Sequence, residues 1–88
     1  MDFVMTFERV YREKVYDGGK KKTVLRLVRW NRIRPYVENR EFILGDKEEW
    51  IPKKSRGMTA EDLDLLMGMR EQLGRDFASA EKVSFPRE

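Results

Sequence analysis

The sequence predicts an α+β domain in which four strands precede a single C-terminal helix (ββββα). Three observations carry this reading. Segments rich in β-branched and aromatic residues alternate with charged residues from Phe3 to Ile51. A turn signature, Asp17-Gly18-Gly19, separates the first two of these segments. After Gly57 the pattern becomes a capped, Leu/Met-rich helical repeat.

The first strand is expected over Phe3 to Tyr16, where Val4, Thr6, Val10, Tyr11 and Val15 are interleaved with charges. Lys20-Lys21-Lys22 leads into the second, Thr23 to Trp30, and Asn31 to Pro35 connects it to the third, Tyr36 to Ile43. Side chains two apart share a face, so Tyr36, Arg40 and Phe42 project together from that strand. A short fourth strand surrounds Trp50-Ile51, and Pro52 makes it an edge or ends it. Thr59 is an N-cap followed by Glu61 and Asp62, with Asp62 a partial match to a capping box. The helix is expected from Ala60 to about Leu73, with Gly74 as its stop. Residues 1–75 form the domain on this reading, and 76–88 a C-terminal extension containing Phe77, Val83 and Phe85.

At 88 residues and with no cysteine, the chain fits one domain with a small core and no disulfide or thiolate-metal support. Pairing with a second subunit is a natural source of further burial. The apolar stripe Leu63, Leu65, Leu66, Met67, Met69 and Leu73 is wider than a helix lying on one sheet requires. The expected dimer interface comprises Leu63, Leu66, Met67, Met69 and Leu73, with Arg70 beside them. There is no secretory h-region and no apolar run long enough for a membrane span, so a soluble, intracellular protein is expected.

The missing chemistry narrows the function. Without histidine or cysteine, the commonest general acid/base and soft nucleophile are absent, and Ser55, Ser79 and Ser84 have no imidazole to activate them. The acids at 61–64 are accounted for by the helix N-terminus, and those at 46–49 by their lysine neighbours. The chain reads as a non-enzyme with no cofactor and no metal.

Charge points to a polyanionic partner. Residues 9–56 hold fifteen Lys/Arg and seven Asp/Glu, whereas residues 57–88 hold four and seven. Within the basic segment, cations lie beside flat side chains: Arg29-Trp30, Arg34-Pro35-Tyr36, Arg40-Glu41-Phe42 and Trp50-Ile51-Pro52-Lys53-Lys54. Unpaired nucleic acid calls for both groups, because cations neutralise phosphates and aromatic faces stack bases. The competing assignment is that these rings face the core.

The stretches "YVENREFI" (36–43), Arg56-Gly57-Met58-Thr59 and "AEDLDLLMGM" (60–69), in that order, resemble the single-stranded-DNA-binding domain of the transcriptional positive cofactor four (coactivator p-fifteen) family. "RLVRWN" (26–31) is similar to the second strand of its small bacterial relatives, and the match covers roughly residues 7–73. The resemblance implies a curved four-stranded antiparallel sheet, a homodimer formed through the helices, and channels for single strands. It places the family's strand arginine on Arg40, its aromatic neighbour on Phe42 and its junction lysine on Arg56. A further basic contact moves to Lys53 or Lys54, and Trp30 stands for an upstream aromatic. Departures from the pattern are Ile43 in place of the second aromatic, Ala60 in place of a leucine, and Ser55 as an inserted residue.

The expectation is thus a homodimer that binds single-stranded DNA with little sequence preference in transcription, replication or repair. Its contacts would be Arg29, Trp30, Arg34, Tyr36, Arg40, Phe42, Trp50, Lys53, Lys54 and Arg56. The transcription or replication machinery is a further expected partner, and the location would be the bacterial cytoplasm and nucleoid, or a eukaryotic nucleus. The alternatives are RNA as ligand, or a protein-interaction module that docks a partner on the helix.

Overall fold

In the computed structural model, which describes residues 4–31 and 33–83, four strands form one antiparallel sheet in sequence order. They are β1 (Met5–Tyr16), β2 (Lys21–Trp30), β3 (Tyr36–Leu44) and β4 (Trp50–Arg56); two helices follow, α1 (Ala60–Gly68) and α2 (Arg70–Glu81). Phe3 and Phe85 lie outside the described residues.

The β1–β2 connection uses both glycines for the reason the sequence suggests. Gly18 has φ 64° and Gly19 φ 87°, left-handed values at which a side chain is strained. β4 continues past Pro52 to Arg56, and it does so as an edge strand, where a missing backbone N–H is tolerated.

β2 is the spine of the sheet. Leu25 and Leu27 are fully buried on one face, Val24 and Val28 on the other. The register carries these two faces across to β3. Leu25 pairs with Asn39 and Leu27 with Val37, while Lys22 pairs with Phe42, Arg26 with Glu38 and Val28 with Tyr36. A register shift in β1 between Val10 and Arg12 inserts an extra residue. As a result Arg9 and Arg12, an odd number of residues apart, point to the same face as Leu25 and Leu27.

Both helices lie on that face. Arg9 Nη1 (3.3 Å) and the Tyr11 hydroxyl (2.9 Å) donate to Asp76 of α2, and Arg12 donates to Asp62 of α1. Asn39 Nδ2 also donates to Asp62, at 3.3 Å. The partial capping box is complete in space: Asp62 N–H donates to Thr59 Oγ1 (3.2 Å), and Thr59 N–H donates to Asp62 Oδ2 (2.9 Å).

The expected single helix ending at Gly74 is corrected. The helix breaks at Met69 (φ −118°, ψ 32°), just after Gly68, whose low helix propensity marks the weak point. A second helix then runs through Gly74 to Glu81, so the expected boundary after residue 75 falls inside it. The local stop signal is overridden by tertiary contacts. Asp76 and Ala80 are buried, and Arg29 Nη1 donates to the Ala80 carbonyl (2.7 Å) and the Val83 carbonyl (3.4 Å), closing the C-terminal end of α2.

Candidate nucleic-acid interface

No helix covers the opposite face of the sheet, the open face, although Val24, Arg26, Val28 and Glu38 at its centre are buried. Strand alternation and register bring Lys22, Val24, Arg26, Val28 and Trp30 of β2 to it, together with Tyr36, Glu38, Arg40 and Phe42 of β3. Trp50 and Pro52 of β4 join them through their pairing with Leu44 and Phe42. Trp30, Tyr36, Arg40, Phe42 and Trp50, all anticipated from sequence, therefore share one surface.

Aromatic rings lie toward both ends of this surface. At one end Trp30 Nε1 donates to the Tyr36 hydroxyl at 3.0 Å, tying the two side chains together, with Tyr36 exposed. At the other, the Lys22 ammonium lies 4.5 Å from the Trp50 ring centroid and 5.6 Å from that of Phe42. The Arg26 guanidinium also lies over the Phe42 ring, 5.3 Å from its centroid.

Between these ends lies a charge cluster. Glu38, whose side chain is 3% exposed, accepts from Arg26 Nε (3.0 Å) and Nη2 (2.9 Å) and from Arg40 Nε (3.2 Å) and Nη2 (2.6 Å). Arg26 Nη1 also donates to Glu8 at 2.6 Å. Burial pushes the Glu38 carboxyl upward, but the Arg40 and Arg26 hydrogen bonds outweigh it and hold its pKa below the ordinary value. The Arg40 guanidinium is correspondingly held in its charged form by Glu38. Two carboxylates and two guanidiniums cancel, so this centre is neutral. Arg40 spends its Nε/Nη2 edge on Glu38 and an Nη1 hydrogen on the Lys53 carbonyl (2.7 Å), Tyr36 is a further hydrogen-bond partner, and its side chain stays 24% exposed.

The remaining sequence-predicted contacts are distributed elsewhere. Lys53 and Lys54 are exposed on edge strand β4, opposite Glu41 where the β3–β4 register shifts, and Arg34 is exposed in the β2–β3 connection. Arg29 and Arg56 are on the helix face. Adjacent strand residues point oppositely, so Arg29 cannot accompany Trp30 and instead closes α2. Arg56 donates to Glu41 at 3.0 Å and, with Arg12 and Lys14, lines a cleft of about 540 Å³ beside the start of α1. That cleft is no concentrated positive site, because Glu61, Asp62 and Glu41 answer its cations.

Sequence reasoning missed Lys22, Arg26 and Glu38. Lys22 reads as part of a lysine lead-in, although its parity with Trp30 places both on one face. Its two rings come from β3 and β4, and only the register supplies them. Among the described residues no group of three or more Asp or Glu side chains is arranged to hold a metal ion, and no helix is long and apolar enough to cross a membrane.

The expected dimer residues also divide. Leu66 is buried within the protomer, Met69 and Leu73 are partly buried, and Leu63 (49%), Met67 (74%) and Arg70 are exposed. No family model matches the chain, and no curated protein or solved structure matches it either.

Proposed function

We propose that this protein binds single-stranded DNA on the open face of its sheet, with little sequence preference and as a homodimer. The observation that carries the reading is the convergence of Trp30, Tyr36, Phe42 and Trp50 on the face that neither helix covers. Rings on an uncovered sheet are stacking platforms, and every base offers a π-face to them. Lys53, Lys54 and Arg34, together with the partly exposed Arg40, supply cations for phosphates. The likeness of residues 36–43 and 56–69 to the positive cofactor four family supports the same ligand, and through it a role in transcription, replication or repair.

Titration with a short oligo-dT, followed by tryptophan fluorescence, tests this. Micromolar or tighter binding at low salt is expected, with an affinity that falls on a log–log salt plot by about 0.7 per phosphate neutralised. Absence of binding at low salt refutes it. A parallel titration with the matching RNA separates the two ligands through the 2′-hydroxyl.

Dimerisation is the second half of the proposal. Leu63, Leu65 and Met67 of α1 are exposed although apolar, an arrangement that suits packing by the same helix of a second copy. Sedimentation equilibrium is expected to give twice the chain mass, with Leu63→Asp or Met67→Asp reducing it to the monomer while the circular dichroism is retained. A monomeric parent protein overturns this half. If Leu63→Asp and Met67→Asp abolish function in such a monomer, the helix docks a different partner.

A further inference from the structure

The open face is not a uniform track. Tyr36 and Phe42 are six residues apart on β3, and their partners Val28 and Lys22 are equally spaced on β2. At the rise of an extended strand this sets the backbone positions of Tyr36 and Phe42 about 20 Å apart, with the Phe42 ring leaning inward to 5.3 Å from the Arg26 guanidinium. Between them, Glu8, Arg26, Glu38 and Arg40 satisfy one another, with Arg26 and Glu38 buried. No aromatic ring from β2 or β3 stands in that interval on the open face, and its charges sum to zero. A strand crossing it meets two places to stack bases and, in between, the partly exposed Arg40 guanidinium.

From this layout, and resting on the single-strand reading above, we propose that the site is bipartite. One strand lies along β2 and β3, with bases stacked on Trp30/Tyr36 at one end and on Phe42/Trp50 at the other. Its intervening nucleotides are held by their backbone and pass Arg40. Lys22 now sits over the rings of Phe42 and Trp50, so it moves aside to a phosphate when a base arrives. A strand that keeps a rise of about 3.4 Å per nucleotide bridges the backbone spacing of the two ring pairs in at most about six steps. Neither ring pair recognises a particular base, so the selectivity of the site is for span rather than sequence.

The test uses the whole protein and three oligo-dT probes of about eight nucleotides, long enough to bridge both ring pairs. One probe is complete, one is abasic at its central positions, and one is abasic at one end. The complete and centrally abasic probes are expected to bind within about threefold of each other, and the end-abasic probe roughly tenfold more weakly. Trp30→Ala and Trp50→Ala should each weaken the complete probe by a similar factor. Trp50→Ala should also erase the penalty for removing bases from the end that the Phe42/Trp50 rings hold. Unchanged circular dichroism establishes that each variant is folded. If central and terminal abasic positions cost equally, or if one tryptophan carries the whole effect, the bipartite site is wrong while single-strand binding stands. If the complete probe fails to bind at low salt, both fall.

Discussion

The two faces of the sheet both carry arginine–carboxylate pairs, yet they use them differently. On the helix face, apart from the Arg56–Glu41 pair within the sheet, the paired carboxylates belong to the helices. Asp62 and Asp76 reach down to Arg12, Arg9 and Tyr11, so each pair ties a helix to a strand far from it in sequence. On the open face Glu8 and Glu38 belong to the strands themselves, and their pairs with Arg26 and Arg40 lock neighbouring strands without covering them. The first arrangement closes a surface and the second keeps one open. Hence no helix covers the rings of the open face, which stay partly or wholly exposed, whereas Tyr11, turned to the helix face, becomes structural. Burial and the Asp76 carboxylate push its phenol far above the ordinary pKa.

If this division is right, breaking the helix face should cost stability first. Asp62 is 1% exposed and serves Arg12, Asn39 and the Thr59 cap together. Asp62→Ala is expected to destabilise by about 3 kcal/mol, measured by urea unfolding, because a guanidinium and an amide lose their partner. Leu66→Ala follows at about 2 kcal/mol, as a buried side chain whose neighbours relax only in part.

The same logic fixes an acid limb. Burial opposes ionisation of Asp62, but the Thr59 amide and Arg12 outweigh it, leaving its pKa below the ordinary value. Glu38 is lowered likewise by its two arginines. A carboxyl whose folded pKa is depressed contributes stability that is complete above the unfolded value, about 4. That contribution is lost as pH falls through the lower folded value. Stability is therefore expected to be level from neutral pH down to about 5 and to drop steeply below 4. For Asp62→Asn that drop should be shallower than in the parent.

The open face should respond in the opposite sense. Trp50→Ala is expected to cost about 1–3 kcal/mol of single-strand affinity, with a smaller effect on the urea midpoint. A stability loss as large as that of Leu66→Ala, with unchanged binding, would make Trp50 a core residue and erase the distinction between the faces. The smallest change sharpens the helix correction. Gly74 has no positive φ, and a Cβ there would meet nothing within 4 Å. Gly74→Ala should raise the thermal midpoint by a few degrees, corresponding to about 0.5–1 kcal/mol, because α2 is helical at that position. A helix ending at Gly74 would show no gain.

How much of this is legible in the chain depends on the distance over which each feature is decided. The four strands, the turn with its two positive-φ glycines, the edge position of Pro52 and the Thr59 cap are local, and sequence alone determined them. So did the shared face of Tyr36, Arg40 and Phe42, since parity along one strand needs no partner. Pairing and packing decided the rest. The bulge between Val10 and Arg12 shifts parity midway along β1, and the register alone brings Lys22 between rings from two other strands. Gly74 reads as a helix stop until Arg9, Tyr11 and Arg29 hold α2 in place beyond it. Local propensities differ by about 1 kcal/mol or less per residue, and contacts made between distant segments exceed that. The sequence thus supplied a strand set rich in rings and cations, and the tertiary structure chose which of them the helices cover.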